Sequence, residues 1–420
     1  MTESITNNPL PVDNQQQQPI KVLEFYSGIG GMHYALKKSG VNFEVIGAFD
    51  INTNANTVYR HNFPEAKLMQ KNLEGLTVKD LDKLSAQCWT MSPPCQPYTR
   101  QGKQEASKDS RAKSFLHIMD LLTEMSYPPS YILIENVKGF DGSDTRDYLL
   151  RVLQTKGYHT KEFLVSPVEL GIPNSRLRYY LLAKMSPESF PSDIPDSFTT
   201  IETRNRVGDY LSVFDDGSNT DTSHAGSPYL VPDNVLLRFS TIMDIVSSDA
   251  TGSCCFTKAY GKYVEGTGSI YSPMCKNDVD VIFKDIEKLT TSTSSTIPET
   301  TQATTYETIQ PSTTKSCQTL STTTSQTTSP NSGTSSTGTP TTTTTNSNAG
   351  TNNNQEKLLL LRSLGLRYFS PDEIARLLCF PDDFNFPEVM TVRQRYQLLG
   401  NSVNVFTIAH LMSTYLFSKK

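Results

Sequence analysis

The chain has 420 residues, 36% of them hydrophobic, which supplies a sizeable core and a length that suits roughly two or three domains. A formal charge of −5 excludes a strongly basic, non-specific polyanion binder while leaving room for a local basic groove. No apolar run is long enough for a membrane helix, the start lacks the regions of a signal peptide, and the seven cysteines show no paired C-x-x-C spacing. The expectation is a soluble monomer of the cytoplasm and nucleus, with reduced thiols, no membrane contact and no metal.

Residues 1–19 are polar and Gln-rich and read as a disordered tail, so order begins at Ile20. The apolar run "KVLEFYS" is a strand that meets a glycine cluster. In "GMHYALKKSG" the residues Met32, Ala35 and Leu36 fall at helical spacing before a terminating Gly40. The alternation continues with "FEVIGAFD" as strand, "NTNANTVYRHNF" as helix, "AKLMQ" as strand, "VKDLDKLS" as helix and "QCWTM" as strand. Helix "SFLHIMDLLTEM", strand "SYILIENV", helix "TRDYLLRVLQTKG" and strands around "EFLVSP" and "RYYLLAKM" complete the series. Such repetition predicts an α/β fold, doubly wound, with a mainly parallel sheet covered by helices on both faces.

After Met185 the alternation stops and a smaller region begins. The predicted division gives a first domain over 20–188, completed by 386–420, and a second over 189–385. Within the second, 290–354 is almost entirely Thr, Ser, Asn, Gln, Gly and Pro, too poor in apolar groups to offset the entropy of ordering a backbone. It reads as a disordered insertion, a solvated spacer. Order returns where Ser370 precedes Pro371 and Glu373 in a helix-start arrangement, and a final helix lies in "LLGNSVNVFTIAHLMSTYLF".

The loop "YSGIGGM" carries Gly28, Gly30 and Gly31, which allow a tight turn and close backbone approach to a ligand. His33 stands where the G-x-G-x-x-G fingerprint wants glycine, so the loop alone reads equally as a structural turn. Asp50 ends the second strand about 20 residues further on, placed either for ribose hydroxyls or as a helix cap. Loop and acid together favour a nucleoside-containing cofactor. Cys95, in "MSPPCQPYTRQG", follows the fourth strand in a loop at the carboxyl edge of the sheet, where ligands bind. Its two preceding prolines fix the approach, and Arg100 and Lys103 favour the thiolate, which makes a nucleophile; the competing reading is an inert buried thiol. The next strand ends in Glu135 and Asn136, and a carboxyl there either works across the crevice from Cys95 or serves as a cap or ion pair. Arg176 and Arg178, two apart on an extended segment, project from one face and suit phosphate or carbonyl recognition, unless that face is merely solvated.

In this order, "FYSGIGG", "FDIN", "SPPCQPYTRQG", "ENVKGF", "NSRLRYY" and "LLGNSVN" resemble the successive motifs of the cytosine-5 methyltransferase family, over about Val22 to Lys184 and Glu356 to Leu416. The segment "CCFTKAYGKYVEGTGSIY" resembles the hallmark of the branch that methylates a cytosine in the anticodon loop of aspartate tRNA with DNA-methyltransferase architecture. The resemblance implies a Rossmann-like S-adenosylmethionine-dependent methyltransferase domain with a smaller target-recognition domain. It also implies S-adenosyl-L-methionine held by Tyr26, Ser27, Gly28, Ile29, Gly30 and Gly31, with Asp50 on the ribose and Ile51 beside it. Leu73, Glu74 and Ser92 would surround the adenine and methionine portions, closed by Asn401 and Ser402. Cys95 would attack C6 of the cytosine, Glu135 would contact N3 and the exocyclic amine, and Arg176 and Arg178 would support the base. Ser92 departs from the family's common glycine, Tyr98 from Phe and Asn174 from Gln, and none of these removes a reacting group.

The implied partner is tRNA, with aspartate tRNA favoured; DNA is the second candidate. A catalytically idle nucleic-acid binder is an alternative of another class, opposed by the joint presence of Cys95, Glu135, Arg176 and Arg178. A dehydrogenase is opposed by the missing third glycine.

Overall fold

The computed structural model describes residues 18–94, 112–195, 205–212, 228–292 and 348–418. Cys95, Arg100 and Lys103 lie outside the described residues, as do 1–17 of the tail and 293–347 of the Thr-rich tract.

The first half alternates strand and helix: β1 (Ile20–Phe25), α1 (Gly31–Ser39), β2 (Phe43–Phe49), α2 (Thr53–Asn62), β3 (Leu68–Met69), α3 (Val78–Leu84) and β4 (Cys88–Met91). It continues through α4 (Lys113–Glu124), β5 (Tyr131–Val137), α5 (Asp144–Thr155), β6 (Tyr158–Val165) and β7 (Arg178–Met185). These strands form one seven-stranded sheet in the order β3-β2-β1-β4-β5-β7-β6. β7 runs antiparallel to both β5 and β6, while the other pairings are parallel. The doubly wound α/β expectation therefore holds, with one reversed strand. The reversal matters because it puts the start of β7 at the same edge as the carboxyl ends of the parallel strands.

Polar side chains at the helix starts fix where each helix begins. Asn52 accepts from the backbone N–H of Asn54 and Ala55 at the start of α2, so Asp50 is not the cap. Thr77 and Asp80 form a capping box on α3, and Ser143 caps α5. Strand alternation then sorts the core. Leu23 and Phe25 join Trp89, Ile132, Ile134 and the apolar stripes of α3, α4 and α5 on one face. Val22, Cys88, Leu133, Tyr180 and Leu182 pack with α1 and α2 on the other.

The second half adds α6 (Asp233–Phe239), β8 (Ile245–Val246), β9 (Ile270–Tyr271), α7 (Lys276–Ser292), α8 (Asn348–Ser363) and β10 (Arg367–Tyr368). Here β8 pairs parallel and β10 antiparallel with β9, and Leu236, Ile270, Val279, Ile286, Leu361 and Leu366 form a separate small core. Helices α9 (Pro371–Leu377), α10 (Val392–Gly400) and α11 (Val405–Leu411) close the chain. α9 starts at a Ser370–Glu373 capping box, as its sequence indicates. Ile374 and Leu377 of α9, assigned by sequence to the smaller domain, join the core that holds α1 and α11. Helices also reach into both ends of the tract read as disordered, because 290–292 continue α7 and 348–354 begin α8. In α7 the Thr290 and Thr291 hydroxyls donate back to the carbonyls of Ile286 and Glu287, which satisfies them within the helix.

Candidate active site

At the carboxyl edge of the parallel strands the chain encloses a cavity of about 710 Å3. Its wall is built from residues at or just after the carboxyl ends of β1, β2, β3, β4 and β5, closed by Arg176 and Arg178 near the start of β7 and by the loop after α10. A crevice at this edge is where open α/β sheets take ligands.

One end of the cavity is the glycine loop. Tyr26 adopts a left-handed backbone at φ 57 and turns the chain out of β1, while its hydroxyl lies 3.0 Å from that of Ser114 on α4. The Gly28 N–H donates to Asp50 Oδ2 at 2.8 Å, and the Asn52 N–H to Asp50 Oδ1 at 2.7 Å, so the acid ties the loop to the end of β2. Burial raises the Asp50 carboxyl above the usual range, against the lowering effect of these backbone donors. Helix α1 begins at Gly30 without any side-chain cap, and the buried Ser27 hydroxyl has no hydrogen-bond partner among the described residues. Ile51, 69% exposed, sits on the rim as an apolar flap.

The other end is charged. Glu135 lies two residues before the end of β5, opposite Tyr180, and Arg178 lies two residues from Tyr180 on the same face, which makes the acid and the guanidinium diagonal neighbours. Arg178 Nε lies 3.4 Å from Glu135 Oε1, and the Ser92 hydroxyl donates to Glu135 Oε2 at 2.7 Å. Pro94 lines this wall, and Cys95 follows it directly in sequence.

Arg176 is 3% exposed and reaches across the molecule rather than into solvent. Its guanidinium donates to Phe256 O at 3.3 Å and to Ser402 O, with Gly400 O 3.5 Å away. Burial, followed by repulsion from Arg178, lowers its pKa. It thus stitches three distant segments around the cavity. Its Nη1 also lies 3.4 Å from Cys255 Sγ, and Arg178 Nη2 lies 3.9 Å from the same sulfur. Burial alone would raise the Cys255 thiol, but the two arginines outweigh it and hold the thiol below its ordinary value. Gly400 is pressed so closely on this segment that a Cβ there would stand 2.1 Å from Lys258 N.

Beneath the glycine loop lies a buried polar chain. Glu24, in the interior of β1, accepts from the Tyr59 hydroxyl at 2.8 Å, and that hydroxyl is 2.9 Å from His33 Nδ1. Burial pushes the Glu24 carboxyl up to about 8 and the His33 imidazole down to about 3, the latter helped by Lys37. His33, which breaks the dinucleotide fingerprint, stacks on Phe63 with ring centroids 3.8 Å apart.

The cavity gathers Tyr26, Ser27, Gly28, Ile29, Gly31, Asp50, Ile51, Leu73, Glu74, Ser92, Asn401 and Ser402 with Glu135, Arg176 and Arg178. Gly30 is not on its wall. At φ 89 it is the turn into α1, and a Cβ there would stand 2.5 Å from the Phe63 ring. Cys95 falls outside the described residues. Sequence reasoning missed Cys255, Gly400, Glu24 and the wall residues Ser114 and Val403. The strand-end positions of the other residues were a usable signal, whereas these come from elements whose approach depends on tertiary packing. Among the described residues no cluster of three or more His, Cys, Asp or Glu side chains is placed to hold a metal ion.

A profile of the family described as C-5 cytosine-specific DNA methylase matches residues 20–415. The chain is 36% identical to a Homo sapiens protein named tRNA (cytosine(38)-C(5))-methyltransferase, over 94% of this chain and 98% of that one. It is 35% identical to a Dictyostelium discoideum protein named DNA (cytosine-5)-methyltransferase, over 94% of each. Among solved structures, a mutant of Spodoptera frugiperda DNMT2 superposes with a TM-score of 0.69 at 33% identity, covering 95% of this chain and 99% of that one.

Proposed function

The chain belongs to the C-5 cytosine-specific DNA methylase family and is a cytosine-5 methyltransferase, and from that premise we propose that it methylates C5 of a cytosine in tRNA, in the anticodon loop of aspartate tRNA. The observation that carries the chemistry is the single cavity in which the Gly28–Asp50 loop stands at one end and the Glu135–Arg178 pair at the other, beside the segment that leads to Cys95.

The first end suits S-adenosyl-L-methionine. The Ser27 hydroxyl, without a partner among the described residues, and the uncapped start of α1 offer polar groups to an amino-acid portion, Asp50 to a ribose, and Ile51 an apolar surface to a purine. When bound, this cofactor supplies an electrophilic methyl group.

At the second end the residues have to make C5 of cytosine a nucleophile. In the proposed sequence the Cys95 thiolate forms a bond to C6, and electron density moves through the ring toward N3 and C5. Glu135 delivers a proton to N3 and accepts from the exocyclic amine, which neutralises the developing charge where it appears. Arg178 holds Glu135 in place. After methyl transfer a solvent base takes the C5 proton, the thiolate leaves C6 and N3 returns its proton to Glu135, which restores the ring, so no oxidant or metal is needed.

The tRNA substrate is supported by the named activity of the Homo sapiens relative and by the Cys254–Tyr271 segment. An anticodon loop presents unstacked bases, whereas extracting a base from duplex DNA costs a few kcal/mol. The DNA reading is favoured by the Dictyostelium discoideum relative's name. Labelled S-adenosylmethionine with aspartate tRNA and duplex DNA at matched salt separates the two, and faster labelling of DNA reverses the assignment. Cys95→Ala is expected to abolish turnover. RNA carrying 5-fluorocytosine should trap the wild-type protein covalently, and binding without capture or transfer would instead mark an idle scaffold.

A further inference from the structure

Within the methyl-transfer reading, on which this inference rests, we propose that Ser92 is a positioning residue that holds the Glu135 side chain through its hydroxyl, rather than a contact for the cofactor. Ser92 opens the turn that leads to Cys95. Its N–H donates to Phe25 O of β1 at 3.4 Å, and the carbonyl of Pro93 accepts from Asn136 Nδ2 of β5 at 3.4 Å, so the turn hangs between the two strands that carry the two ends of the cavity. From that fixed point its hydroxyl reaches Glu135 Oε2 at 2.7 Å, while Arg178 Nε approaches Oε1 at 3.4 Å. Among the described residues, Oε2 thus faces the Ser92 hydroxyl and Oε1 the Arg178 guanidinium, and a carboxylate oxygen with one such donor keeps a lone pair for a base.

The two donors are not equivalent. A guanidinium only donates, whereas a hydroxyl both donates and accepts. While Glu135 is a carboxylate, Ser92 donates to it; when Oε2 carries a proton, that O–H can donate a hydrogen bond to Ser92 Oγ or to the base. The contact thus survives either protonation state. The proton that Glu135 loses appears on N3 of the cytosine, and Ser92 retains its own, so the step is balanced without a further acid. A glycine at this position could not make this contact.

The test compares wild type with Ser92→Ala and Ser92→Thr on tRNA and on duplex DNA, measuring kcat and KM for the polynucleotide and the affinity for S-adenosylhomocysteine by calorimetry. Ser92→Ala is expected to lower kcat roughly 10- to 100-fold, the range for losing a hydrogen bond to a charged group, with cofactor-product affinity unchanged. Ser92→Thr, which keeps the hydroxyl, is expected to recover most of the rate. An active wild type with an equally fast Ser92→Ala overturns this proposal alone. So does a Ser92→Ala variant whose slower turnover tracks weaker S-adenosylhomocysteine binding, or a Ser92→Thr variant as slow as Ser92→Ala. A wild type that methylates neither polynucleotide overturns the methyl-transfer reading itself.

Discussion

Asp50 accepts the Gly28 N–H with one carboxylate oxygen and the Asn52 N–H with the other. The acid is therefore part of the loop's architecture before any ligand arrives, because it ties the turn after β1 to the turn after β2. Replacing it removes the brace together with the proposed ribose contact. Asp50→Ala is expected to weaken S-adenosylhomocysteine binding roughly 10- to 100-fold, from the value of hydrogen bonds to a charged acceptor. Asp50→Asn keeps one acceptor oxygen and should lose less. Calorimetric titration checks the order, and an alanine variant that binds as tightly as wild type would show that the loop stands without its brace.

Arg176 and Arg178 invite the same substitution with different consequences. Arg176 spans Phe256 O and Ser402 O from a buried position, a geometry that requires a planar fork. Arg176→Lys keeps the charge and loses the span, leaving at least one buried carbonyl unpaired. The expected cost is about 1–3 kcal/mol of stability, read by chemical denaturation, together with a fall in methyl transfer. If Arg176→Lys unfolds at the wild-type midpoint, the three segments are held by something other than this side chain.

Glu24 predicts a pH dependence. Its carboxyl is raised from the ordinary 4.5 to about 8 in the fold, so its contribution to stability is complete below 4.5 and is lost as pH rises toward 8. His33 acts in the opposite sense, since its depressed value of about 3 gives a contribution that is present above 6.5 and lost as pH falls. Between pH 6.5 and 8 only Glu24 of this pair changes. Across that window the wild-type melting temperature is expected to fall relative to Glu24→Gln, whose carbonyl still accepts from Tyr59. Parallel melting curves for the two proteins would place the ionised acid in the native state at neutral pH.

The alternating elements of the first half were legible because their apolar residues follow the two periods of strand and helix, as in Val22, Leu23 and Phe25 against Met32, Ala35 and Leu36. The strand-end acids were legible for the same reason, since a carboxyl that closes an apolar run stands at the ligand edge. Two-residue strands such as Ile270–Tyr271 carry no period and could not be read. Glu24 was hidden by its setting inside an apolar strand, because the hydroxyl that donates to its Oε2 comes from a helix 35 residues further along the chain. Cys255 looked like one of several scattered thiols until packing brought two guanidinium groups onto it. His33 counted against a dinucleotide site in the sequence, and its place in the structure is as a stacking partner of Phe63 under the loop.

The hydrogen bond from Asn353 Nδ2 to Leu289 O, at 3.2 Å, joins the last part of α7 to the first part of α8. The two helix ends that flank 293–347 are accordingly held beside each other. The entropic cost of tying such a segment to two fixed points grows only logarithmically, by about 0.6 kcal/mol for each doubling of its length. An insertion or deletion between two helix ends held side by side would thus cost little, which makes this a place where chain length can drift without moving the cavity.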